Sequence, residues 1–257
     1  MVETVRGPLA RLAGRVCVIT GAASVIGQAV ADRFRAEGAA VVGVDVTDHA
    51  VGDLAIQADL VDEAQVEAMY ARAAAEYGRL DVIYNNVGLM DRGDLSALST
   101  ELEIWRRVQD ANLTTTFLSC KHGIPHLQNT QPAGGSVINA ASFLADIGAA
   151  TAQMAYASAK AAVVQLTRDL GVHLARSGVR VNAVLFGPID TPAQRGVFDR
   201  NPGALDKRLL HWPMGRFGTL DEAAGTIAFL ASDDAGFITA AAIPLDGGIT
   251  QAFTVPE

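Results

Sequence analysis

The chain has 257 residues, half of them apolar and 19% charged, so it holds enough apolar material for a large hydrophobic core. Its formal net charge of −8 argues against a nucleic-acid partner, because no basic surface would offset the repulsion from phosphates. No apolar run approaches the roughly 18 residues of a membrane-spanning helix and the N-terminal residues contain no apolar signal core, so we expect a cytoplasmic protein that binds no membrane.

Short β-branched runs alternate with alanine-rich runs along the chain, which predicts strands and helices in turn. Strands are predicted at residues 15–20, 39–46, 80–88, 136–142, 179–187 and 241–248, with a short QADL segment at 57–60 after a polar turn. Helices are predicted at residues 26–37, 61–77, 102–124, 155–176 and 221–231.

Strands that alternate with helices of this length imply an α/β fold, a doubly wound parallel sheet with helices on both faces. No composition shift or linker divides the chain, so we predict a single domain over residues 1–257. Residues 191–213 interrupt the alternation with mixed charges and prolines, and long irregular segments of this kind often cover a binding site. We therefore predict a substrate lid at residues 191–213.

Cysteine and histidine suggest neither a disulfide nor a metal site. Cys17 and Cys120 lie in an apolar run and a helical run, so both are predicted to be small buried residues. His122 and His126 stand four residues apart, but no glutamate occupies the position that a helical zinc site requires.

A glycine-containing loop, TGAASVIGQ, follows the first predicted strand and opens the first predicted helix. Such a loop directs backbone N–H groups and a helix N-terminus at a pyrophosphate. Asp45 ends the second predicted strand, where a carboxylate binds the ribose hydroxyls of a dinucleotide and repels a 2′-phosphate. The glycine loop and Asp45 together predict NAD rather than NADP as the cofactor. The alternative is that Gly21 is required only for the backbone angles of the turn and that Asp45 is a solvated strand-end residue. Gln28 stands where a triphosphate-binding loop requires lysine, which excludes that class.

Four polar residues form a candidate catalytic set. Tyr156 and Lys160 stand four residues apart in a predicted helix and therefore share one face. Ser142 ends a predicted strand upstream, and Asn112 lies in the preceding predicted helix. A free phenol titrates at a pKa of ~10, and a neighbouring ammonium favours its ionised form, which predicts acid/base work by Tyr156. The alternatives are a solvated helix charge for Lys160 and strand-end and helix-kink roles for Ser142 and Asn112.

Taken together, these segments resemble the short-chain dehydrogenase/reductase family over about residues 11–248. The resemblance is carried by TGAASVIG, VDV, ADL, NNVG, YASAK, VNAVLFGPIDTP, GRFG and LDGG, with the helix Asn112 and the strand-end Ser142. It implies a Rossmann-type fold, NAD-dependent hydride transfer between a secondary alcohol and its ketone, and a homotetramer in which the helices around Asn112 and Tyr156 pair between subunits.

The resemblance also implies a role for each polar residue. Tyr156 is the acid/base, Lys160 additionally binds the nicotinamide ribose, Ser142 holds the substrate oxygen and Asn112 anchors a water for proton relay. The implied cofactor contacts are Gly21, Ser24, Val25 and Ile26 in the glycine loop, Asp45 and Val46 after the second strand, Asp59 and Leu60 at the adenine, Asn86, Val87 and Gly88 beneath the adenosine ribose, Tyr156 and Lys160, and Gly187, Ile189 and Thr191 toward the nicotinamide.

Four positions depart from the pattern of the family. Val25 replaces the second glycine of the loop, where a side chain could crowd the pyrophosphate and weaken cofactor binding. Phe186 replaces a proline beside the nicotinamide, Val87 replaces an alanine, and Ala240 replaces a late glycine.

Three functions remain open at this point, in order of preference. The first is an NAD-dependent dehydrogenase of secondary alcohols, or the reductase of the matching ketones. The second is a 3-oxoacyl-(acyl-carrier-protein) reductase, although the segment LQNTQPAGG carries no basic residue for an acidic carrier. The third is a catalytically silent NAD-binding regulator, suggested by Val25 and Phe186 and opposed by the complete polar set. A hydrolase is excluded because the chain contains no Gly-x-Ser-x-Gly elbow.

Overall fold

A seven-stranded sheet in the order β3-β2-β1-β4-β5-β6-β7 forms the centre of the molecule in the computed structural model, which describes residues 10–132, 134–149, 151–199 and 203–253. Every neighbouring pair of strands in this sheet is parallel. The strands are β1 Val16–Thr20, β2 Ala40–Asp45, β3 Leu54–Gln57, β4 Val82–Asn85, β5 Gly135–Ser142, β6 Val179–Phe186 and β7 Ala242–Leu245. Both ends of the predicted domain and residues 200–202 of the predicted lid lie outside the described residues.

Helices cover both faces of the sheet, as the doubly wound prediction requires. They are α1 Val25–Ala36, α2 Glu63–Tyr77, α3 Leu102–Gln109, a π turn at Asp110–Thr114, α4 Thr115–Asn129, α5 Met154–Leu174, α6 Pro192–Asp199, α7 Ala204–Leu209 and α8 Leu220–Ala231. Among the described residues no helix is long and apolar enough to cross a membrane.

Side chains of β1 alternate between two hydrophobic cores. Val16 and Val18 belong to the core that α2 and α4 cover, whereas Cys17 and Ile19 belong to the core under α1 and α8. Successive residues of a strand point to opposite faces, so a strand buried on both sides is apolar throughout. This arrangement confirms the doubly wound fold and accounts for the burial of Cys17.

The direction of the chain reverses beside β1. From β1 the chain proceeds outward to β2 and β3, then crosses back to β4 on the other side of β1. The loops that follow β1 and β4 therefore diverge, and a crevice opens at the carboxyl ends of these strands. Thr20 and Asn85 are register partners at this edge.

Three predicted elements differ from the observed ones. The predicted helix at 102–124 is interrupted by the π turn Asp110–Thr114 and continues past Pro125 to Asn129. The polar turn before QADL contains the edge strand β3. The predicted irregular lid includes two short helices, α6 and α7, and Pro192 stands at the first position of α6, where its fixed φ suits a helix start.

Aromatic side chains join the lid segment to the body of the domain. Phe198 of α6 and Trp212 are both buried, and each makes an edge-to-face contact with Phe217. Their ring centroids lie 5.8 Å and 5.0 Å from that of Phe217, within the range in which such pairs are stabilising.

Candidate active site

A cleft of about 300 Å³ opens at the crevice where the chain direction reverses. Nine of the implied cofactor contacts line this cleft: Gly21, Ser24, Asp45, Val46, Asp59, Leu60, Asn86, Val87 and Gly88. They come from the loops after β1, β2, β3 and β4, whose carboxyl ends share one edge of the sheet. Residues far apart in the sequence thus meet at one site.

The loop between β1 and α1 depends on two glycines for different reasons. Gly21 has a φ of +64°, a left-handed conformation that side chains disfavour. A Cβ at Gly27 would lie 2.4 Å from the carbonyl oxygen of Gly21, so Gly27 is required for close packing of the helix against the loop. Ser24 caps α1 by accepting a hydrogen bond from the Gly27 N–H at 3.1 Å.

Asp45 connects the end of β2 to the glycine loop. Its Oδ2 accepts a hydrogen bond from the Ala23 N–H at 3.0 Å. Its Oδ1 accepts hydrogen bonds from the Thr47 N–H and the Thr47 hydroxyl at 3.1 Å and 2.9 Å. The half-buried carboxylate is therefore fixed in orientation at the edge of the cleft and brings a negative charge there.

Asn86 holds the glycine loop in place from the opposite side of the cleft. Its side-chain amide donates to the carbonyl oxygen of Gly21 and to the hydroxyl of Ser24, both at 2.9 Å. Its Oδ1 accepts a hydrogen bond from the Tyr84 hydroxyl at 3.0 Å. In addition to lining the cleft, Asn86 therefore sets the path of the glycine loop.

Lys160 is buried deep between β5 and the loop after β4. Its side chain donates hydrogen bonds to the carbonyl oxygens of Ala140 at 2.9 Å and Val87 at 3.2 Å. The residue is only 2% exposed, and this burial lowers the pKa of Lys160 to about 8. The alternative of a solvated helix charge is thus excluded, since the side-chain nitrogen of Lys160 lies inside the protein.

Tyr156 lies one helical turn before Lys160 on the same face of α5. Burial raises the pKa of the Tyr156 phenol, and a hydrogen bond with Ser142 acts in the opposite direction. From the sequence, the charge of Lys160 together with that of the oxidised nicotinamide is expected to favour the phenolate and so to lower its pKa. In the protein without the cofactor, desolvation is the largest influence on the pKa of Tyr156, because burial penalises the phenolate more than it penalises the neutral phenol.

Ser142 and Asn112 are both buried beside this pair, one at a strand end and the other in the π turn. Ser142 Oγ also accepts a hydrogen bond from the Leu144 N–H at 3.2 Å. The Asn112 amide donates to the carbonyl oxygens of Leu89 and Val108, each at 2.9 Å, and its Oδ1 accepts from the Leu89 N–H at 3.2 Å. Asn112 therefore ties the π turn to the loop after β4.

Known proteins match this chain along nearly its whole length. A family model described as "Enoyl-(Acyl carrier protein) reductase" matches residues 21–250. The cis-4-hydroxycyclohexanecarboxylate dehydrogenase of Sinomonas cyclohexanicum is 40% identical over 93% of this chain and 97% of its own. The meso-2,3-butanediol dehydrogenase of Serratia marcescens is 35% identical over 96% of this chain and 99% of its own. The aldohexose dehydrogenase of Thermoplasma acidophilum has a structure that matches with a TM-score of 0.87 at 32% identity, over 97% of this chain and 100% of its own.

The chain belongs to the short-chain dehydrogenase/reductase family. It is accordingly an oxidoreductase that uses a nicotinamide cofactor and acts on alcohol or ketone groups. The family resemblance and the Rossmann-type fold inferred from the sequence are both confirmed.

The loop after β4 lies between the cleft and the polar set. A Cβ at Gly88 would lie 3.5 Å from both Asn112 Oδ1 and Lys160 Nζ. Because Gly88 has no side chain, its backbone approaches these two buried polar groups closely. Residues 86–88 therefore border both the cleft that Asp45 lines and the polar set around Lys160.

Seven implied contacts are absent from the lining of this cleft: Tyr156 and Lys160, whose surroundings are described above, and five others. Val25 is the first residue of α1 and is 39% exposed, whereas Ile26 packs against the core under α1 and α8. Ile189 lines a second cavity, of about 460 Å³, beside α8. A Cβ at Gly187 would lie 2.6 Å from the Cα of Asp246, which makes Gly187 a packing residue.

The fifth of these residues, Thr191, uses its side chain at the start of the lid. Its hydroxyl oxygen accepts a hydrogen bond from the Gln194 N–H at 3.2 Å, as a helix cap does. This contact leaves the hydroxyl proton of Thr191 available to another acceptor.

Sequence analysis missed six residues at the site. Ala58 and Val61 flank the two implied adenine contacts and line the cleft. Ala111 and Thr115 line the cleft and stand four apart on one helical face, a spacing that was available as a signal. Gln109 donates to the carbonyl oxygen of Ala155, and Asp94 accepts hydrogen bonds from the backbone of α5. These two contacts join elements distant in sequence, and nothing local in the sequence marks them.

Proposed function

We propose that the protein is an NAD(H)-dependent dehydrogenase of a secondary alcohol, or the reductase of the corresponding ketone, with Tyr156 as the acid/base. The observation that carries this proposal is the convergence of Tyr156, Lys160 and Ser142 beside the cleft that Asp45 borders. A protein that only bound the dinucleotide would not require a buried lysine next to a serine-bonded phenol.

In the oxidation direction, Ser142 holds the alcohol oxygen and the Tyr156 phenolate takes the hydroxyl proton. When bound, the nicotinamide would supply the acceptor for the hydride that leaves the carbon, and the alcohol would become a ketone. In the opposite direction the Tyr156 phenol returns its proton to the ketone oxygen. Lys160 binds the nicotinamide ribose, and its ammonium favours the ionised form of the phenol. Asn112 anchors a water that relays protons to solvent.

The preference for NAD over NADP rests on Asp45. Three hydrogen bonds from Ala23 and Thr47 fix its carboxylate at the cleft edge. A fixed carboxylate accepts hydrogen bonds from ribose hydroxyls, but it repels a 2′-phosphate. The adenosine ribose would therefore bind best without the phosphate.

We further propose a homotetramer in which α4 and α5 pair between subunits. Phe117 on α4 and Val172 on α5 are 47% and 72% exposed in the single chain, which favours burial of these helices in an assembly. Light scattering on the purified protein should give four times the mass of one chain. Phe117→Asp with Val172→Asp should lower that mass.

The proposed activity is tested by following NADH absorbance. Purified protein is offered NAD with secondary alcohols, including cis-4-hydroxycyclohexanecarboxylate and 2,3-butanediol, and NADH with the matching ketones. A 3-oxoacyl thioester is included to detect the carrier-protein reductase. Oxidation of a secondary alcohol that is lost in Tyr156→Phe supports the proposal. Turnover of the thioester alone identifies the carrier-protein reductase, and NAD binding without any turnover identifies the silent regulator.

A further inference from the structure

The helix that carries Tyr156 and Lys160 lacks the usual cap at its N-terminus. The first N–H groups of a helix have no partner within it and are normally bonded by the side chain of the preceding residue. Gln153 precedes α5 but makes no capping hydrogen bond, and its amide binds the hydroxyl of Thr151 instead.

Asp94 supplies the missing cap from another part of the chain. Its Oδ1 accepts the N–H of Ala155 and its Oδ2 accepts the N–H of Tyr156, each at 2.9 Å. Asp94 stands 61 and 62 residues before these two partners. The side chain bonds the backbone of the acid/base residue itself, so its position bears directly on where the phenol lies.

Asp94 is buried, and the described residues include no cation that forms an ion pair with it. The residue is 1% exposed, and a buried carboxylate without compensation is costly. Its compensation comes from the two N–H groups and from the positive end of the α5 dipole. Loss of Asp94 would therefore leave two N–H groups in the first turn of α5 without their hydrogen-bond acceptor, whereas no surface ion pair would be broken.

The loop that bears Asp94 also contacts the other parts of the site. Gly88, at the start of this loop, lines the cofactor cleft, and the backbone of Leu89 is bonded to the Asn112 amide. Asp91 forms an ion pair with Arg107 of α3. One segment thus links the cleft, the π turn and the first turn of α5.

We propose that Asp94 is a positioning residue that holds the first turn of α5, and thereby sets the position of the Tyr156 phenol relative to Ser142 and Lys160. This inference rests on the proposed function of Tyr156. Misplacement of a reacting group by 1 Å costs on the order of 100-fold in rate, so a loosened turn should affect turnover more than cofactor binding.

The test compares the full-length protein with Asp94→Ala and Asp94→Asn. We expect Asp94→Ala to lower kcat by about 10-fold or more, while the Kd of NADH stays within about two-fold. Asn is nearly as good a cap as Asp, so Asp94→Asn should recover part of the lost kcat. Hydrogen exchange at residues 154–158 should be fastest in Asp94→Ala and intermediate in Asp94→Asn.

Thr219→Ala is the matched control. Thr219 caps α8 by accepting the Glu222 N–H at 3.1 Å, but α8 carries none of the four polar residues. We expect this variant to lower the melting temperature by about 2–4 °C and to leave kcat unchanged.

Two results would overturn the role of Asp94: wild-type kcat in folded Asp94→Ala, or unchanged protection of residues 154–158 in that variant. If Asp94→Ala does not fold, Asp94→Ser takes its place, because its single, shorter side-chain oxygen cannot reach both N–H groups as the carboxylate does; wild-type kcat in Asp94→Ser overturns the role. Normal turnover by Tyr156→Phe would instead refute the proposed function, whatever the Asp94 variants show. The two failures are thereby distinguished.

Discussion

The side-chain nitrogen of Lys160 lies 5.8 Å from the centre of the Tyr156 ring, with the two residues one turn apart on α5. The position of each residue depends on contacts outside α5 as well as on the helix itself. Lys160 is bonded to carbonyl oxygens of Val87 and Ala140, and the backbone of Tyr156 is bonded to Asp94. The geometry of the pair is therefore set by the strand ends and the loop that surround α5.

Burial of Lys160 gives the stability of the cofactor-free protein a specific pH dependence. The folded pKa of about 8 lies below the ordinary lysine value of 10.5, so between these values the unfolded chain binds more protons at this site. The contribution of Lys160 to stability is therefore lowest below pH 8 and rises up to about pH 10.5, by ~3 kcal/mol. The free energy of unfolding of wild type minus that of Lys160→Met, measured by denaturant titration, should rise over this range. A flat difference would contradict the burial of a charged lysine.

Asp45→Ala should narrow the preference for NADH over NADPH. The carboxylate is fixed by Ala23 and Thr47 at the cleft edge, so its loss removes both the ribose acceptor and the repulsion of the 2′-phosphate. Titration calorimetry should show NADH bound more tightly than NADPH by the wild type, and the ratio of the two Kd values should fall by about 10-fold in the variant. Asp48→Ala, which removes an exposed carboxylate on the same loop, should leave the ratio unchanged. Equal wild-type affinities would refute the choice of NAD.

Val25→Gly should tighten NAD binding if the valine side chain crowds the pyrophosphate. Val25 occupies the first position of α1, where glycine also costs about 0.5–1 kcal/mol of stability. We therefore expect a lower Kd for NAD together with a lower melting temperature without ligand. Val25→Ala separates the effects, because it removes most of the side chain without the freedom of glycine. Unchanged or weaker binding in both variants would show that the loop accommodates valine.

Ala240→Gly should stabilise the protein by about 1 kcal/mol. Ala240 has a φ of +58°, and it is the only non-glycine residue with positive φ among the described residues. Its N–H donates to the carbonyl oxygen of Val181 at 2.8 Å, and the backbone of Gly171 packs closely against it, so this conformation is fixed. Ala241→Gly, at a neighbour with ordinary φ, should destabilise instead. A lower melting temperature for Ala240→Gly would contradict the inference that the positive φ of Ala240 strains the backbone.

The sheet and most of the helices could be predicted from the sequence because their apolar patterns are local. β5 and α8, for instance, begin and end within one residue of their predicted bounds. The π turn at Asp110–Thr114 could not be predicted, since it is associated with the contact of Asn112 with Leu89 in another element. The helical part of the lid was missed although Thr191 and Pro192 form a cap and start signal.

Some features of the candidate site could likewise be predicted from the sequence, whereas others could not. Asp45 and Asn86 follow strand ends, and the topology of a doubly wound sheet brings such positions together, so sequence could place them. The raised pKa of Tyr156 in the cofactor-free protein could not be predicted, because a sequence does not report how deeply a side chain is buried. The role of Asp94 could not be predicted from the sequence, since its hydrogen-bond partners are backbone N–H groups more than sixty residues away along the chain.

The central claim, that Tyr156 transfers the proton, is tested most directly by turnover and cofactor binding in Tyr156→Phe. The substitution removes only the hydroxyl, so the fold and the cleft at Asp45 should persist. We predict that oxidation of the best alcohol substrate falls by at least about 100-fold while the Kd of NADH stays within about two-fold of wild type. A Tyr156→Phe enzyme that binds NADH and turns over at a near-normal rate would contradict the account.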